Sequence, residues 1–468
     1  MNHHRGGCRP PRPPRSSRGE RTVVAVLAVA ALVYSLMQSL VVPALPAIQQ
    51  TLDVSPDASN WAVTAFLLSS AVATPIAGRL GDMLGKRRVL VAVLLIVAIG
   101  TLLCTIESLP ALIGGRIVQG VSGGVLPLAY AIVRDELNPA RIASGIALIA
   151  SLLGVGGGLG VIVAGVLVEH LSYTSMFWVQ LPAFIAVAWA VHRWVPESRR
   201  TAAARIDWTG AVLVSSGLVM LLLTITQASR WGLGSTATWI GFGIAFALLG
   251  LWAAQALRHS EPLLDVRLML RRTVWTTNAS AFFVGVSQFV GFIMLPRYVQ
   301  DNGASPLESG IYLLPMTAGV LVGGLIAGRF ERTIGSRASL LIANGGTAAA
   351  FVLLTFARSE PVELYIASAL HGFGAGLAMA ALATVIIMSV HEDETGAAAG
   401  VNNVARTLGG AVGGQLAAVL LVSFGYTSAF AVGLVAMVAA MAVAPLVGGA
   451  HSALVGAAAP ASSGRRSF

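Results

Sequence analysis

Apolar stretches of about twenty residues recur along this chain, separated by short polar gaps. A run of that length crosses a hydrocarbon core roughly 30 Å thick as a helix. Fourteen such spans are predicted: 23–47, 59–78, 88–106, 109–133, 142–168, 175–195, 207–227, 237–257, 274–296, 309–328, 337–357, 362–388, 396–424 and 426–449. The gap between the second and third, GRLGDMLGKRRVL (78–90), holds Arg79, Asp82, Lys86, Arg87 and Arg88. The stretches beside it, AFLLSSAVATPIAG and VLVAVLLIVAIGTLL, carry no charge.

Composition agrees with that pattern. Of 468 residues, 56% are hydrophobic and 11% charged, whereas soluble domains carry about a quarter of their residues as charges. The fold class is therefore an all-α polytopic membrane protein. A net charge of +10 raises the question of nucleic acid, but the distribution answers it. With the N-terminus inside, twenty-five of the thirty basic residues fall in the tails and alternate loops. Only Arg230, Arg297 and Arg358 fall in the opposite loops, and Arg116 and Arg406 lie within spans. This bias places both termini in the cytoplasm and the protein in the plasma membrane, with no nucleic-acid partner. Cys8 and Cys104 then sit on opposite faces and cannot bridge. Residues 1–22, with six arginines and four prolines, read as a disordered basic tail able to meet anionic membrane lipid. The apolar run behind that tail is too long for a signal peptide.

An internal echo divides the chain. GRLGDMLGKR (78–87) returns as GRFERTIGSR (328–337), and RIVQGVSGG (116–124) returns loosely as SALHGFGAG (368–376), at offsets of 250 and 252 residues. Parallel repeats about an axis normal to the membrane are a transporter architecture with the substrate site between them. The boundaries predicted are an N-terminal six-helix bundle at 23–200, two inserted helices and a linker at 201–273, a C-terminal six-helix bundle at 274–449, and a tail at 450–468.

GRLGDMLGKRR resembles the signature loop between helices two and three of the major facilitator superfamily, and RIVQGVSGG its second motif. LPRYVQ (295–300), GIYLLPM (310–316) and EPLLDVRLM (261–269) resemble the fourteen-helix drug:proton antiporter branch. The resemblance implies a secondary transporter that exports small amphipathic molecules by alternating access, in exchange for protons, with no cofactor. A membrane enzyme would need clustered catalytic or metal-binding groups. Here eight histidines are scattered and no HExxH occurs.

The candidate residues fall into three sets. In the opening loop, Gly78 permits close helix approach, Gly85 a tight turn, and Asp82 stands where it can meet a neighbouring helix N-terminus. Arg87 and Arg88 read equally as membrane-surface anchors. The resemblance makes Asp82 part of a latch closing the cytoplasmic side, whereas the second copy has Arg332 at the matching position. The second set lies inside the spans: Gln38, Arg116, Gln119, His371 and Arg406 are candidate substrate or coupling groups. Arg116 lacks the aspartate that the family places in span one, leaving Gln38, Gln119, water or an anionic substrate group to take its hydrogen bonds. Asn402 and Asn403 are within reach of Arg406, which could be structural or substrate-binding. An intramembrane arginine costs roughly 2.5–3.5 kcal/mol on insertion scales, so each needs such a reason. His371 is a packing residue or a proton carrier. Tyr34, Trp61, Thr64, Tyr130, Gln180, Asn278, Gln288, Tyr312 and Asn344 are further cavity candidates, each more often a helix–helix hydrogen bond or a packing residue than a ligand contact. The third set, Gly156, Gly160, Ala164 and Gly165 in GGGLGVIVAG (156–165), is expected to pack helices, with Val161 and Ala164 replacing the proline and glycine of the antiporter motif.

None of the twenty acidic residues falls well inside a span. This departs from proton-driven exporters and from carriers of cationic drugs, and it favours neutral or anionic substrates. An uncoupled facilitator and a non-transporting sensor on the same fold are the alternatives.

Overall fold

The computed structural model describes residues 17–198, 207–232, 234–259, 262, 264, 266–391 and 394–447. The tail residues 1–16, the linker 199–206 and the C-terminal residues 448–468 lie outside that description. The helices are α1 (Ser17–Leu52), α2 (Pro56–Leu84), α3 (Lys86–Leu103), α4 (Leu109–Gln119), α5 (Val125–Glu136), α6 (Pro139–His170), α7 (Ser175–Trp194), α8 (Trp208–Trp231) and α9 (Thr236–Arg258). They continue as α10 (Val266–Met269), α11 (Arg272–Asp301), α12 (Pro306–Tyr312), α13 (Leu314–Thr333), α14 (Gly335–Phe356), α15 (Pro361–Met388) and α16 (Thr395–Val443). Among the described residues there is no strand.

Among the described residues twelve helices, counting α4–α5 and α12–α13 each as one continuous span, are long and apolar enough to cross a membrane, so the chain is a multi-pass membrane protein. Helix α3 carries Lys86, Arg87 and Arg88 in its first turn ahead of fifteen uncharged residues. Helix α16 is interrupted at Gly425, whose φ of 78° and ψ of −175° leave the helical region. Only glycine takes that conformation at little cost, so one residue re-aims the chain within an otherwise continuous helix. The lipid-facing surface is apolar. Trp194, Trp208, Trp231 and Trp239, each at or within four residues of a helix end, stand exposed where a membrane–water boundary would hold amphipathic rings.

Small residues set the packing. Gly156 and Gly160 of α6 lie against Leu32, Leu36 and Ser39 of α1, and Ser35 donates its hydroxyl to the Leu153 carbonyl. In the C-terminal group, Gly409 and Gly413 of α16 meet the Phe282 and Val286 backbone of α11. Gly372 and Gly376 of α15 meet the backbone of Met316 and Val320 on α13 in the same way. Where a backbone replaces a side chain at a contact, the helices approach closely and dispersion does the holding, since lipid gives no hydrophobic drive between them. Ala164 is fully buried, whereas a side chain at Gly165 would meet nothing within 4 Å.

Two seams join α1–α7 to α11–α16. Helix α6 runs along α13, with Ser144 beside Gly328, Ser151 beside Gly324, Gly154 beside Val320 and Gly158 beside Thr317. Helix α2 meets α16 at Gly78 and Gly396, and again at Thr74 and Gly400. The pair α8–α9 lies outside the second seam: Ala211, Val214 and Leu218 pack with Ile76 of α2 and with Ala397, Val401 and Val404 of α16. Asp207 anchors this pair, capping α8 through the Gly210 N–H (2.8 Å) and accepting from Gln255 Nε2 of α9 (3.0 Å).

Candidate functional site

The charged loop between α2 and α3 reaches across the second seam. Gly85, at φ 105°, ends α2 and begins α3 within one residue, which only glycine does without strain. That turn brings Lys86 back beside the last turn of α2. Its ammonium donates to Asp135 at 2.9 and 3.0 Å and lies 3.8 Å from Asp82. Lys86 and Asp82 are 5% and 3% exposed, so this is a buried charge cluster and not a solvated pair. Asp82 also stands at the start of α16, its Oδ2 3.5 Å from where a side-chain carbon on Gly396 would sit. The free backbone N–H groups of a helix N-terminus favour a carboxylate there.

A second tie crosses at the same end. Arg134, from the last turn of α5, donates to the carbonyls of Ile387 (2.6 Å) and Val390 (2.8 Å), and to Thr395 Oγ1 (2.6 Å). It thereby caps the C-terminus of α15 and the first residue of α16 together. Arg87 and Arg88 do not cross the seam. Both reach Glu197 (3.4 and 3.2 Å) beyond the end of α7, on their own side. In the echo loop, Arg332 is exposed; the buried carboxylate is its neighbour Glu331, which accepts from the Ser336 hydroxyl at the start of α14.

Farther along the helices lies a narrow cavity between the two groups. Leu126, Tyr130 and Leu153 line it from α5 and α6. Ala281, Met379, Ala399, Asn402, Asn403 and Arg406 line it from α11, α15 and α16. Arg406 donates to Gln288 Oε1 at 3.0 Å and to Asn403 Oδ1 at 2.8 Å, while Asn402 donates to Asn278 at 3.0 Å. Tyr34 lies within hydrogen-bond reach of Gln38 and Ser70, and both Tyr34 and Tyr130 sit in the field of Arg406. Thus Gln38 and Arg406 are brought to one neighbourhood.

Arg116 and Gln119 are elsewhere. Arg116 is 1% exposed; it donates to the Ala62 carbonyl (2.9 Å) and to Gln119 (2.8 Å), and its guanidinium lies 4.2 Å from the Phe66 ring centroid. Gln119 passes a hydrogen bond on to Thr101 of α3 at 2.8 Å. This chain of contacts binds α2, α3 and α4 to one another inside the N-terminal group, with the ring face contributing a cation–π contact in place of a carboxylate. His371 is likewise interior. Its imidazole seats against Gly291 of α11 and 5.1 Å from the Phe351 ring, with Nε2 unpartnered. Among the described residues no group of three metal-ligating side chains occurs.

Comparison with known proteins fits this geometry. The family profile of the Major Facilitator Superfamily matches residues 27–270 and 277–467. The multidrug transporter protein MdtP of Bacillus subtilis is 28% identical over 365 residues, covering 76% of this chain and 66% of its own length. The cephamycin export protein CmcT of Amycolatopsis lactamdurans is 30% identical over 404 residues, covering 83% of this chain and 82% of its own. The chain therefore spans just under two thirds of the first relative and most of the second. The crystal structure of the human organic anion transporter MFSD10 superposes with a TM-score of 0.68 over 92% of this chain and 99% of its own, at 20% identity, a likeness of fold. On the profile match and the helical architecture together, this chain belongs to the major facilitator superfamily, whose members are transporters and not enzymes.

Proposed function

We propose that the protein is a secondary transporter that exports small amphipathic molecules, neutral or anionic, from the cytoplasm across the plasma membrane by alternating access. The observation that carries this reading is the pairing of a sealed seam with a cavity behind it. At the Asp82 end, Gly78 of α2 touches Gly396 of α16, and Arg134 ties α5 to both α15 and α16. The cavity lined by both groups lies farther along the same helices. The bias of basic residues in the loops supports a cytoplasmic position for the sealed end, with both termini. Relatives named for multidrug transport and antibiotic export support the direction.

Fourteen crossings follow if α3 counts as a span and α16 counts as two, divided at Gly425. A parallel repeat is supported by matched local chemistry. Ser55 and Ser305, 250 residues apart, cap α2 and α12 through the N–H three residues on, each at 3.2 Å. Gln49 donates to Ser59 and Gln300 to Ser309, both at 2.9 Å, beside those caps.

The test is flux from inside-loaded proteoliposomes for neutral, anionic and cationic amphiphiles, with and without a pH gradient. Efflux above protein-free vesicles is the expected result, and its absence for every compound overturns the reading in favour of a sensor. Dependence on the pH gradient that weakens in His371→Gln would assign proton exchange to the histidine; indifference makes the carrier uncoupled from protons. Asp82→Asn keeps the side chain's shape and removes its charge beside Lys86 and the α16 N-terminus. It is expected to leave membrane abundance unchanged and to cut initial efflux rates severalfold; normal rates at matched abundance would remove Asp82 from the latch.

A further inference from the structure

The cavity between the two helix groups contains a full positive charge with no negative one beside it. Arg406 spends one hydrogen of each terminal nitrogen on a neutral amide oxygen, Gln288 at 3.0 Å and Asn403 at 2.8 Å. Its Nε and the remaining hydrogens have no acceptor among the described residues. Every described carboxylate lies in a loop or within four residues of a helix end, so none reaches the middle of α16. Arg406 is partly exposed, yet a charge at this depth in a membrane-spanning helix is ordinarily paired, because leaving it alone in low dielectric is costly. The two amides fix the plane of the guanidinium without neutralising it, and a planar fork held in this way matches a carboxylate bidentately. Beside it are the Tyr130 ring and an apolar wall of Leu126, Leu153 and Met379. In this form the cavity holds about 30 Å³, room for the anionic group itself, and its lining suits one anionic group attached to an apolar body.

We propose that Arg406 is the counter-charge for the single carboxylate of an amphipathic organic anion, and that the carrier moves this anion outward alone, driven by the membrane potential. The proposal rests on the exporter reading above and deepens it. In the loaded cavity the two charges cancel, so the loaded carrier reorients without moving net charge across the field. The empty carrier returns with Arg406 uncompensated, and an inside-negative potential favours the turn of a positive charge toward the cytoplasm. One cycle therefore exports one negative charge and needs no proton, in keeping with a membrane interior free of carboxylates. At 100 mV the attainable gradient for a monovalent anion is roughly fifty-fold.

The test uses the full-length protein in proteoliposomes with three fluorescent probes of one size: naphthylacetate, its neutral amide, and the matching naphthylethyl ammonium. A potassium gradient with valinomycin sets the potential while pH is equal on both sides. Expected is naphthylacetate transport that rises at least tenfold when the potential draws anions in the direction of flux. It should fall when the sign is reversed and ignore an imposed pH gradient. Arg406→Gln is expected to abolish this flux and to weaken naphthylacetate binding to the detergent-solubilised protein at least tenfold, with Arg406→Lys recovering part of both. The helix contact at this position is made by the Arg406 backbone against Gly285, so the side chain can change without unseating α16. Should Arg406→Gln still fail to fold, the potential dependence of the wild type and the Arg406→Lys result decide. Transport of the amide but not the anion, or anion flux that ignores the potential or survives Arg406→Gln, overturns the proposal and leaves the exporter reading standing. Transport of none of the three overturns both.

Discussion

Gly78→Val is expected to give a folded protein that transports at least tenfold more slowly and stays open at the cytoplasmic end. A side-chain carbon at residue 78 would lie 2.9 Å from both the carbonyl carbon and oxygen of Gly396. Those are backbone atoms of a helix and cannot swing aside. The first two methyl-sized atoms of any larger residue therefore hold α2 and α16 apart. The three atoms nearest that carbon all belong to α16, so the clash falls across the seam and folding should survive. The control is Gly372→Val, where the added carbon would run into the Met316 backbone on α13 within the C-terminal group. Overpacking of a core contact typically costs about 1–3 kcal/mol, and more where only backbone opposes it; loss of folded protein is expected there. The check is a cysteine in place of Ala399, on a background without Cys8 and Cys104, labelled by a membrane-impermeant thiol reagent from the cytoplasmic side. Faster labelling in Gly78→Val at unchanged abundance is the expected result. Near-normal transport with unchanged labelling would mean that this seam does not gate the cavity.

The sequence pattern carries much of this architecture because apolar length is a local property. The 396–449 run is too long for one crossing, and the break predicted between residues 424 and 426 falls at Gly425, at φ 78°. Charges inside apolar runs are equally visible by type: Arg116, His371 and Arg406 all stand out. Their fates are not local. Which side of a helix faces its own group, and which faces the cavity, depends on how several helices rotate against one another. Arg116 turns toward Ala62, Phe66 and Gln119, whereas Arg406 turns toward the cavity. Asp135 and Arg134 escape a sequence reading for a related reason. At the end of α5 they read as an ordinary charged flank, and only the fold brings one to Lys86 and the other to Thr395. The one available signal was Lys86 itself. A lysine fixed beside a tight glycine turn and facing inward needs a carboxylate, and Asp82 at 3.8 Å leaves its hydrogen bonds to be met elsewhere.

Arg134→Ala is expected to produce the largest shift in the balance between outward-facing and inward-facing forms. The arginine contributes to that balance through hydrogen bonds that exist in the sealed form, to Ile387, Val390 and Thr395 across the seam, with a longer contact to the His391 carbonyl at 3.4 Å. Hydrogen bonds to a charged group are worth roughly 1.5–3 kcal/mol each, and water recovers part of that when the seam opens. A net loss equal to only one such bond moves the equilibrium by roughly ten- to a hundred-and-fiftyfold toward the inward-facing form. The effect exceeds that of Lys86→Met, because Lys86 pairs with Asp82 and Asp135 on its own side and stiffens the latch from within. Arg134→Lys should restore little, since a point charge cannot cap carbonyls on two helices at once as a planar fork does. Distances between spin labels on the loop ends of α2 and α16 read the populations directly. The expected change is growth of the long-distance component in Arg134→Ala with the protein still folded. A distribution unchanged from the wild type would reduce the four contacts to a static tie, and the closing of the seam would then have to be carried by Gly78 and Asp82 alone.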